Sequence, residues 1–277
     1  MPRAKPARWF TGFVMVLLVL SVHAETDWRA QWIWLPEAET SDMLLARKTF
    51  ELSEIPKPAK LFITAGSRYE LFVNGNCIAR GPARCAPHHQ SVDVLKVADA
   101  LVPGKNVIAV RVHQQRGGTS YYDSSRAGLL VQLDGLDVQT DSSWRVAQDK
   151  SWDNDSPLMA RFHLEVCDQV DLRQVSKGWK TPEFDDSDWQ NARVLQREIG
   201  WPAPQKNDRP SHRIPPWTTL VERDIPYLTE SVVEAEDPAE EHIPVAGAGD
   251  CRVQVYDLGE VHNGRPWLDI EAPAGTV

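Results

Sequence analysis

The chain has 277 residues, with 39 acidic and 30 basic side chains and a formal net charge of −9. Nucleic-acid binding needs clustered Lys and Arg for phosphate contacts, and binding to an anionic membrane surface needs a polybasic segment. This acidic chain has neither pattern, so we expect no nucleic-acid partner and no membrane partner after processing, and neutral partners such as sugars suit it better.

Residues 1–24 are predicted to be a signal peptide. Three basic residues precede an apolar run from Phe13 to Leu20, and Val22-His23-Ala24 resembles a small-x-small cleavage site. The run is shorter than the roughly 20 apolar residues of a spanning helix, although an uncleaved anchor stays open as the alternative. Cleavage after Ala24 leaves 27 basic and 39 acidic residues, a formal charge of −12. The prediction is a secreted or periplasmic protein.

Short apolar or alternating runs recur between residues 27 and 200 and predict β-strands. These runs cover residues 43–52, 60–64, 69–73, 77–80, 106–112, 128–133 and 144–146. Asn74-Gly75 is the strongest hairpin signal, and the run at 106–112 is apolar on both faces, as in a central strand. No long amphipathic helix and no βαβ rhythm is present. We therefore predict an all-β fold, with a jelly-roll or galactose-binding-like β-sandwich over residues 27–200.

The region after this sandwich is predicted to be a linker followed by the start of a second β-sandwich. Residues 201–217 hold five prolines, which exclude a central strand or a helix interior. They form either an inter-domain linker or an extended segment packed on the sandwich. Residues 218–277 are predicted to be an incomplete second sandwich, with Asn263-Gly264 as a turn signal. Because a lone hairpin is marginal in water, we expect this chain to be the front part of a larger protein.

The candidate carbohydrate contacts lie in the loop-like stretch from Gln114 to Gly128. Tyr121 and Tyr122 could stack on a sugar ring, and Asp123 or Arg126 could bond its hydroxyls. A plain surface loop is the alternative. The sequence has no nucleophile elbow, no zinc-protease motif and no phosphate loop, so no catalytic residue is assigned.

Metal and disulfide predictions stay open at the sequence level, and no cofactor is assigned. His88-His89 could ligate a metal if an acidic residue lies near, and the alternative is a polar turn. Asp153–Asp155 and Asp185–Asp188 could hold a structural calcium or be solvated loops. Cys77 and Cys85 are close enough to bridge, or else are small packing residues. The four cysteines are Cys77, Cys85, Cys167 and Cys251.

An ordered set of motifs resembles the N-terminal region of bacterial α-L-rhamnosidases. It begins with YELFVNG at 69–75, GPAR at 81–84 and LVPGKNVIAVRV at 101–112. It continues with Gly178-Trp179, FDDSDW at 184–189, RDIP at 223–226, YDLG at 256–259 and APAG at 272–275. The order of these pieces carries the resemblance, since single pieces also occur in the sugar-binding sandwiches of β-galactosidase-like enzymes. It covers most of residues 28–277.

The resemblance implies an accessory role. In that family the front sandwiches are non-catalytic, and the acid and base carboxylates of the inverting reaction lie in an α/α-barrel further along the chain. The implied function is the non-catalytic N-terminal portion of a secreted α-L-rhamnosidase-like glycoside hydrolase. Its partners would be rhamnose-containing glycans and the downstream catalytic barrel. The alternatives are a stand-alone secreted carbohydrate-binding module and a structural or interaction β-sandwich.

Overall fold

The computed structural model describes residues 26–37, 43–114, 126–153, 168–196, 217–234, 239–245 and 249–264. The strands are β1 Ile33–Trp34, β2 Met43–Leu52, β3 Lys60–Gly66, β4 Arg68–Val73, β5 Asn76–Gly81, β6 His89–Lys96, β7 Gly104–His113, β8 Gly128–Leu133, β9 Val138–Gln139, β10 Arg145–Gln148, β11 Gln190–Asn191, β12 Arg193–Val194, β13 Thr219–Glu222, β14 Ala239–Val245 and β15 Gly249–Val255. Two 3₁₀ turns accompany them, Ala98–Ala100 and Leu172–Gln174, and the described residues contain no α-helix.

Two sheets pack face to face and enclose one main apolar core. The first has the order β12-β1-β8-β3-β6-β13, with β9 paired to β8, and the second has the order β11-β10-β2-β7-β4-β5. Their pairings are antiparallel except that β13 runs parallel to β6. The predicted all-β sandwich is confirmed.

Strand β7 is buried on both faces because it lies between β2 and β4 and is covered on its outer side too. Ile108, Val110 and Val112 point into the main core. Val107 and Ala109 point the other way, into a smaller cluster beneath Trp179. This is why the run at 106–112 shows no polar face, and the prediction of a central strand is confirmed.

The hairpin of β4 and β5 turns at Asn74-Gly75, as predicted. Both residues have positive φ, +50° and +87°, which the tight turn of a two-residue hairpin requires. The Asn74 amide Nδ2 donates to Asn106 Oδ1 at 2.8 Å, and the Val107 N–H donates to Asn74 Oδ1 at 2.9 Å. Asn106 is fully buried, and its own Nδ2 donates to the carbonyl oxygen of Val102 at 2.6 Å. The two loops are therefore joined by satisfied buried amides.

The segment after the proline-rich stretch belongs to the first compact unit. Strand β13 pairs with β6, and the Trp217 ring stacks on Trp32 with centroids 3.9 Å apart and planes 7° from parallel. Gly128 lies directly beneath, where an added Cβ would meet Trp217 ring atoms at 2.7 Å. The unit runs through Ile225, whereas the sequence places the domain boundary after residue 217. The difference arises because a buried Trp and an edge-strand pairing fasten this segment to the sandwich.

The second unit, residues 226–277, is described as a two-stranded hairpin. Strands β14 and β15 pair antiparallel, from Ala239 opposite Val255 to Val245 opposite Gly249. Large apolar side chains of this unit are exposed to solvent, with Leu228 at 91% and Val261 at 101%. The second sandwich stays a prediction, because residues 265–277 lie outside the described part.

No disulfide bond joins Cys77 and Cys85, both of which the structure describes. Cys77 is exposed on β5, and Cys85 is half-buried in the following loop. Burial raises the pKa of the Cys85 thiol. The bridge that the sequence left open is therefore absent between these two residues, and Cys167 lies outside the described part of the chain.

Candidate functional site

A cleft lies where the chain leaves β10, and its first wall is fixed by the buried Asp149. The Ser151 N–H and hydroxyl both donate to Asp149 Oδ1, at 3.1 and 2.5 Å. The other carboxylate oxygen lies 3.1 Å from Arg111 Nε in an ion pair. The Asp149 N–H donates to the Met43 carbonyl at 3.1 Å, which ties the turn to the edge of β2. These contacts therefore fix the backbone of residues 149–151, which leads into the first wall of the cleft.

The second wall is a short segment that pairs with the first. Trp152 and Val170 form an isolated antiparallel bridge. The Asp153 N–H donates to the Gln169 carbonyl at 3.0 Å, and the Asp171 N–H donates to the Ser151 carbonyl at 2.7 Å. Two backbone hydrogen bonds thus hold the walls together, so the backbone positions from which their side chains project are fixed.

Asp171 caps the 3₁₀ turn Leu172–Gln174 at the base of the second wall. Its Oδ1 accepts from Arg173 N and Nε at 3.1 and 2.8 Å. Its Oδ2 accepts from the Arg173 guanidinium at 2.9 Å and from Gln174 Nε2 at 3.1 Å. These hydrogen bonds, led by those from the Arg173 side chain, hold the pKa of Asp171 well below its usual range. The carboxylate therefore stays ionised and orients both neighbouring side chains.

The cleft has a volume of about 330 Å³ and is open to solvent. It is lined by Lys150, Ser151, Trp152, Asp153, Gln169, Val170, Asp171 and Gln174. Trp152 is half-buried, and its ring lies 6.2 Å from the His113 ring at an angle of 34°. The site thus combines one flat apolar ring with amide, carboxylate and ammonium groups, which can bind hydroxyl groups.

His113 supports the Trp152 ring as a neutral imidazole. Its Nδ1 lies 2.6 Å from the Arg68 guanidinium, which is always a donor, so Nδ1 accepts and Nε2 carries the proton. Burial, and then the charge of Arg68, lower the pKa of His113 to about 4. At neutral pH the His113 ring is therefore uncharged.

The structure places one of the four predicted carbohydrate contacts. Tyr121, Tyr122 and Asp123 lie outside the described residues. Arg126 is described, and its Nη1 donates to the Gln196 carbonyl at 2.6 Å while its guanidinium carbon lies 5.7 Å from the Trp217 ring centroid. Arg126 is engaged with the protein itself, and a sugar contact by any of the four stays a prediction.

The sequence offers two acidic runs as candidate calcium ligands. Among the residues that the structure describes, no three His, Cys, Asp or Glu side chains come together as metal ligands. Asp185 Oδ1 accepts from the Ser187 N–H at 3.0 Å, and Asp186 pairs with the buried Arg47. Of the earlier acidic run, Asp153 lines the cleft, and residues 154 and 155 are not described.

Sequence reasoning missed the cleft. Its walls come from two segments separated by residues 154–167, and no local spacing connects Trp152 with Asp171 or Gln174. The available signals were Asp149-Lys150-Ser151 and Asp171-Leu172-Arg173, in which an aspartate bonds the backbone two residues on. Such turns are too common to mark a site by themselves.

Comparison with known proteins gives the family. The sequence profile of the α-L-rhamnosidase N-terminal domain matches residues 54–213. This match covers more than half of the chain. The chain belongs to the α-L-rhamnosidase N-terminal domain family. The resemblance noted from the motifs is thereby confirmed.

Curated α-L-rhamnosidases and solved rhamnosidase structures agree with this family. The α-L-rhamnosidase of Formosa agariphila is 28% identical over 187 residues, 59% of this chain and 20% of the relative. That of Streptomyces avermitilis is 27% identical over 173 residues, 60% of this chain and 14% of the relative. The GH78 family rhamnosidase of Bacillus sp. GL1 is 33% identical with a TM-score of 0.66, over 78% of this chain and 22% of that one.

The chain therefore spans about a fifth or less of the curated α-L-rhamnosidases that it matches. The matched part of the family is its N-terminal β-sandwich. No helix in the described ranges has the length and apolar character needed to cross a membrane.

Proposed function

We propose that this chain is a non-catalytic N-terminal part of a secreted α-L-rhamnosidase-like glycoside hydrolase that acts on rhamnose-containing glycans. The observation that carries the proposal is the match of residues 54–213 to the N-terminal domain of α-L-rhamnosidases. Secretion is part of the proposal through the predicted signal peptide, and the mass of the exported chain reports whether it begins at Glu25. The downstream catalytic barrel is the proposed covalent partner.

The roles of the motif residues support an accessory function. Asn74 and Asn106 bond one another between two loops, and Asp186 pairs with the fully buried Arg47. Arg223 pairs with the buried Asp93. Each of these polar groups is occupied in holding strands or loops together. These four motif residues, Asn74, Asn106, Asp186 and Arg223, therefore stabilise the sandwich.

The purified chain is expected to leave 4-nitrophenyl α-L-rhamnoside intact. Glycoside hydrolysis needs an acid and a second carboxyl group at a defined separation across the bond, and the proposal places that pair outside this chain. The measurement is nitrophenolate release, with a full-length α-L-rhamnosidase as the positive control.

Turnover that stays with the chain through purification would contradict the proposal if it disappears in an acid-to-amide variant of the chain. Asp153→Asn and Asp171→Asn are the first two variants to make, because both carboxylates line the cleft. Turnover that is equal in these variants and in a mock preparation belongs to a contaminant, and the proposal then stands.

A further inference from the structure

We propose that the cleft between residues 150–153 and 169–174 binds one neutral sugar ring, with Trp152 as the stacking platform. The rhamnose character of the ligand rests on the proposed function, whereas the binding of a sugar ring rests on the cleft itself. This site does not depend on the predicted contacts in the loop at 114–128.

Trp152 meets the requirements for a stacking surface. Its side chain is half-buried, so part of the indole faces solvent. Its backbone is held in the bridge to Val170, and its ring rests against His113. Within the described residues, no hydrogen bond uses the indole N–H, which leaves a donor for a ligand hydroxyl. A rigid aromatic face with a polar edge suits a pyranose, which has apolar C–H faces and a polar rim.

The polar groups around Trp152 match a ring of hydroxyls. Both carboxylate oxygens of Asp171 accept hydrogen bonds from the side chains of Arg173 or Gln174, so Asp171 positions these side chains. Gln174 donates one amide hydrogen to Asp171, and its amide oxygen has no partner among the described residues. Gln169, on the other side of Val170, adds a second amide. An amide both donates and accepts, which is what adjacent hydroxyl groups need.

The size of the cleft suits a single-ring ligand. The described part of the lining carries one ammonium, on Lys150, and two carboxylates, on Asp153 and Asp171. Arg173 pairs with Asp171 at 2.8 Å. A volume of about 330 Å³ is at the lower end of the roughly 300–1,000 Å³ typical of small-molecule sites.

Calorimetric titration with L-rhamnose, D-galactose and D-glucose tests the proposal. The whole chain is expected to bind at least one of these sugars saturably, and Trp152→Ala is expected to weaken that binding at least about tenfold. Trp28→Ala is the matched control, because Trp28 is also half-buried but packs against Phe62 of the other sheet at 5.7 Å. It should change the affinity less than about twofold.

Two further variants separate lost binding from lost folding. Trp152→Phe keeps an aromatic face and should retain most of the affinity, and Gln174→Ala removes an exposed amide and should weaken binding without lowering the melting temperature. Unchanged binding in Trp152→Ala, or saturable binding of none of the three sugars, overturns the proposal. If D-glucose binds and L-rhamnose does not, the cleft site stands and the rhamnose specificity of the proposed function fails. Turnover of a rhamnoside affects the proposed function alone.

Discussion

Replacing Arg47 by alanine is expected to lower the free energy of unfolding by about 3–5 kcal/mol. The Arg47 side chain is fully buried on the outer side of β2 and forms an ion pair with Asp186. It also donates to the carbonyl oxygens of Phe184 at 3.2 Å and Thr181 at 2.8 Å. Its removal takes the buried donor away from three acceptors at once, whereas Arg145 still donates to the carbonyl oxygens of Asp186 and Ser187 at 2.9 and 2.7 Å.

Urea unfolding followed by circular dichroism measures this effect. Lys48→Ala is the control on the next residue of β2, where the ammonium reaches only the Ser143 hydroxyl in an exposed contact. It should cost less than about 1 kcal/mol. If Arg47→Ala is as stable as Lys48→Ala, the Arg47 contacts do not hold this loop in solution.

Replacing Arg223 by methionine is expected to cost about 3–5 kcal/mol at neutral pH. Arg223 Nη1 lies 3.3 Å from Asp93 Oδ1, and the Asp93 side chain is fully buried. The other Asp93 oxygen accepts from the Tyr69 hydroxyl. Without Arg223 a carboxylate remains in the core with a single neutral donor, since methionine fills the space but supplies no charge. The same change loosens β13, because Arg223 follows that strand.

The cost of Arg223→Met should grow as the pH rises from about 4. Burial raises the pKa of Asp93, and Arg223 and Tyr69 oppose that rise, so the variant raises it further. An acid with a raised pKa in the folded state contributes stability below its unfolded pKa, about 3.9 for Asp. That contribution is lost as the pH rises through the folded pKa. At low pH Asp93 is protonated and uncharged, so the loss of the Arg223 guanidinium costs less unfolding free energy.

The difference in unfolding free energy between wild type and Arg223→Met, measured in urea at pH 4 and pH 7, checks the pH dependence. The control is the difference between Asp93→Asn and the double variant Asp93→Asn with Arg223→Met, which should not change with pH because an amide cannot ionise. An equal cost of Arg223→Met at both pH values would show that Arg223 does not shift the pKa of Asp93 in the folded protein.

Most of the sandwich could be predicted because its strands have local signals. The Asn74-Gly75 turn and the two-sided apolar run of β7 are properties of consecutive residues, and the structure has both. Position 217 was predicted as the end of a linker because prolines dominate its neighbourhood. Its burial depends on Trp32 and Gly128, which are distant in sequence, so local reasoning could not find it.

The candidate site could not be predicted for the same physical reason. Trp152 and Asp171 are brought together by backbone hydrogen bonds between Asp153 and Gln169 and between Ser151 and Asp171. Which strands or bridges pair is decided by tertiary packing. The acidic residues that the sequence did single out, such as Asp185 and Asp186, hold a turn and the buried Arg47. The family motifs thus identify the fold and not a binding surface.

Saturation-transfer NMR on the purified chain with an aryl α-L-rhamnoside tests the central claim most directly, because one spectrum series reports both contact and cleavage. The account predicts transfer of magnetisation to the rhamnose ring protons, its loss in Trp152→Ala, and signals of the intact glycoside throughout. Appearance of free L-rhamnose at a rate set by the amount of chain would contradict the non-catalytic role. Absence of transfer to the sugar would contradict glycan recognition by this chain.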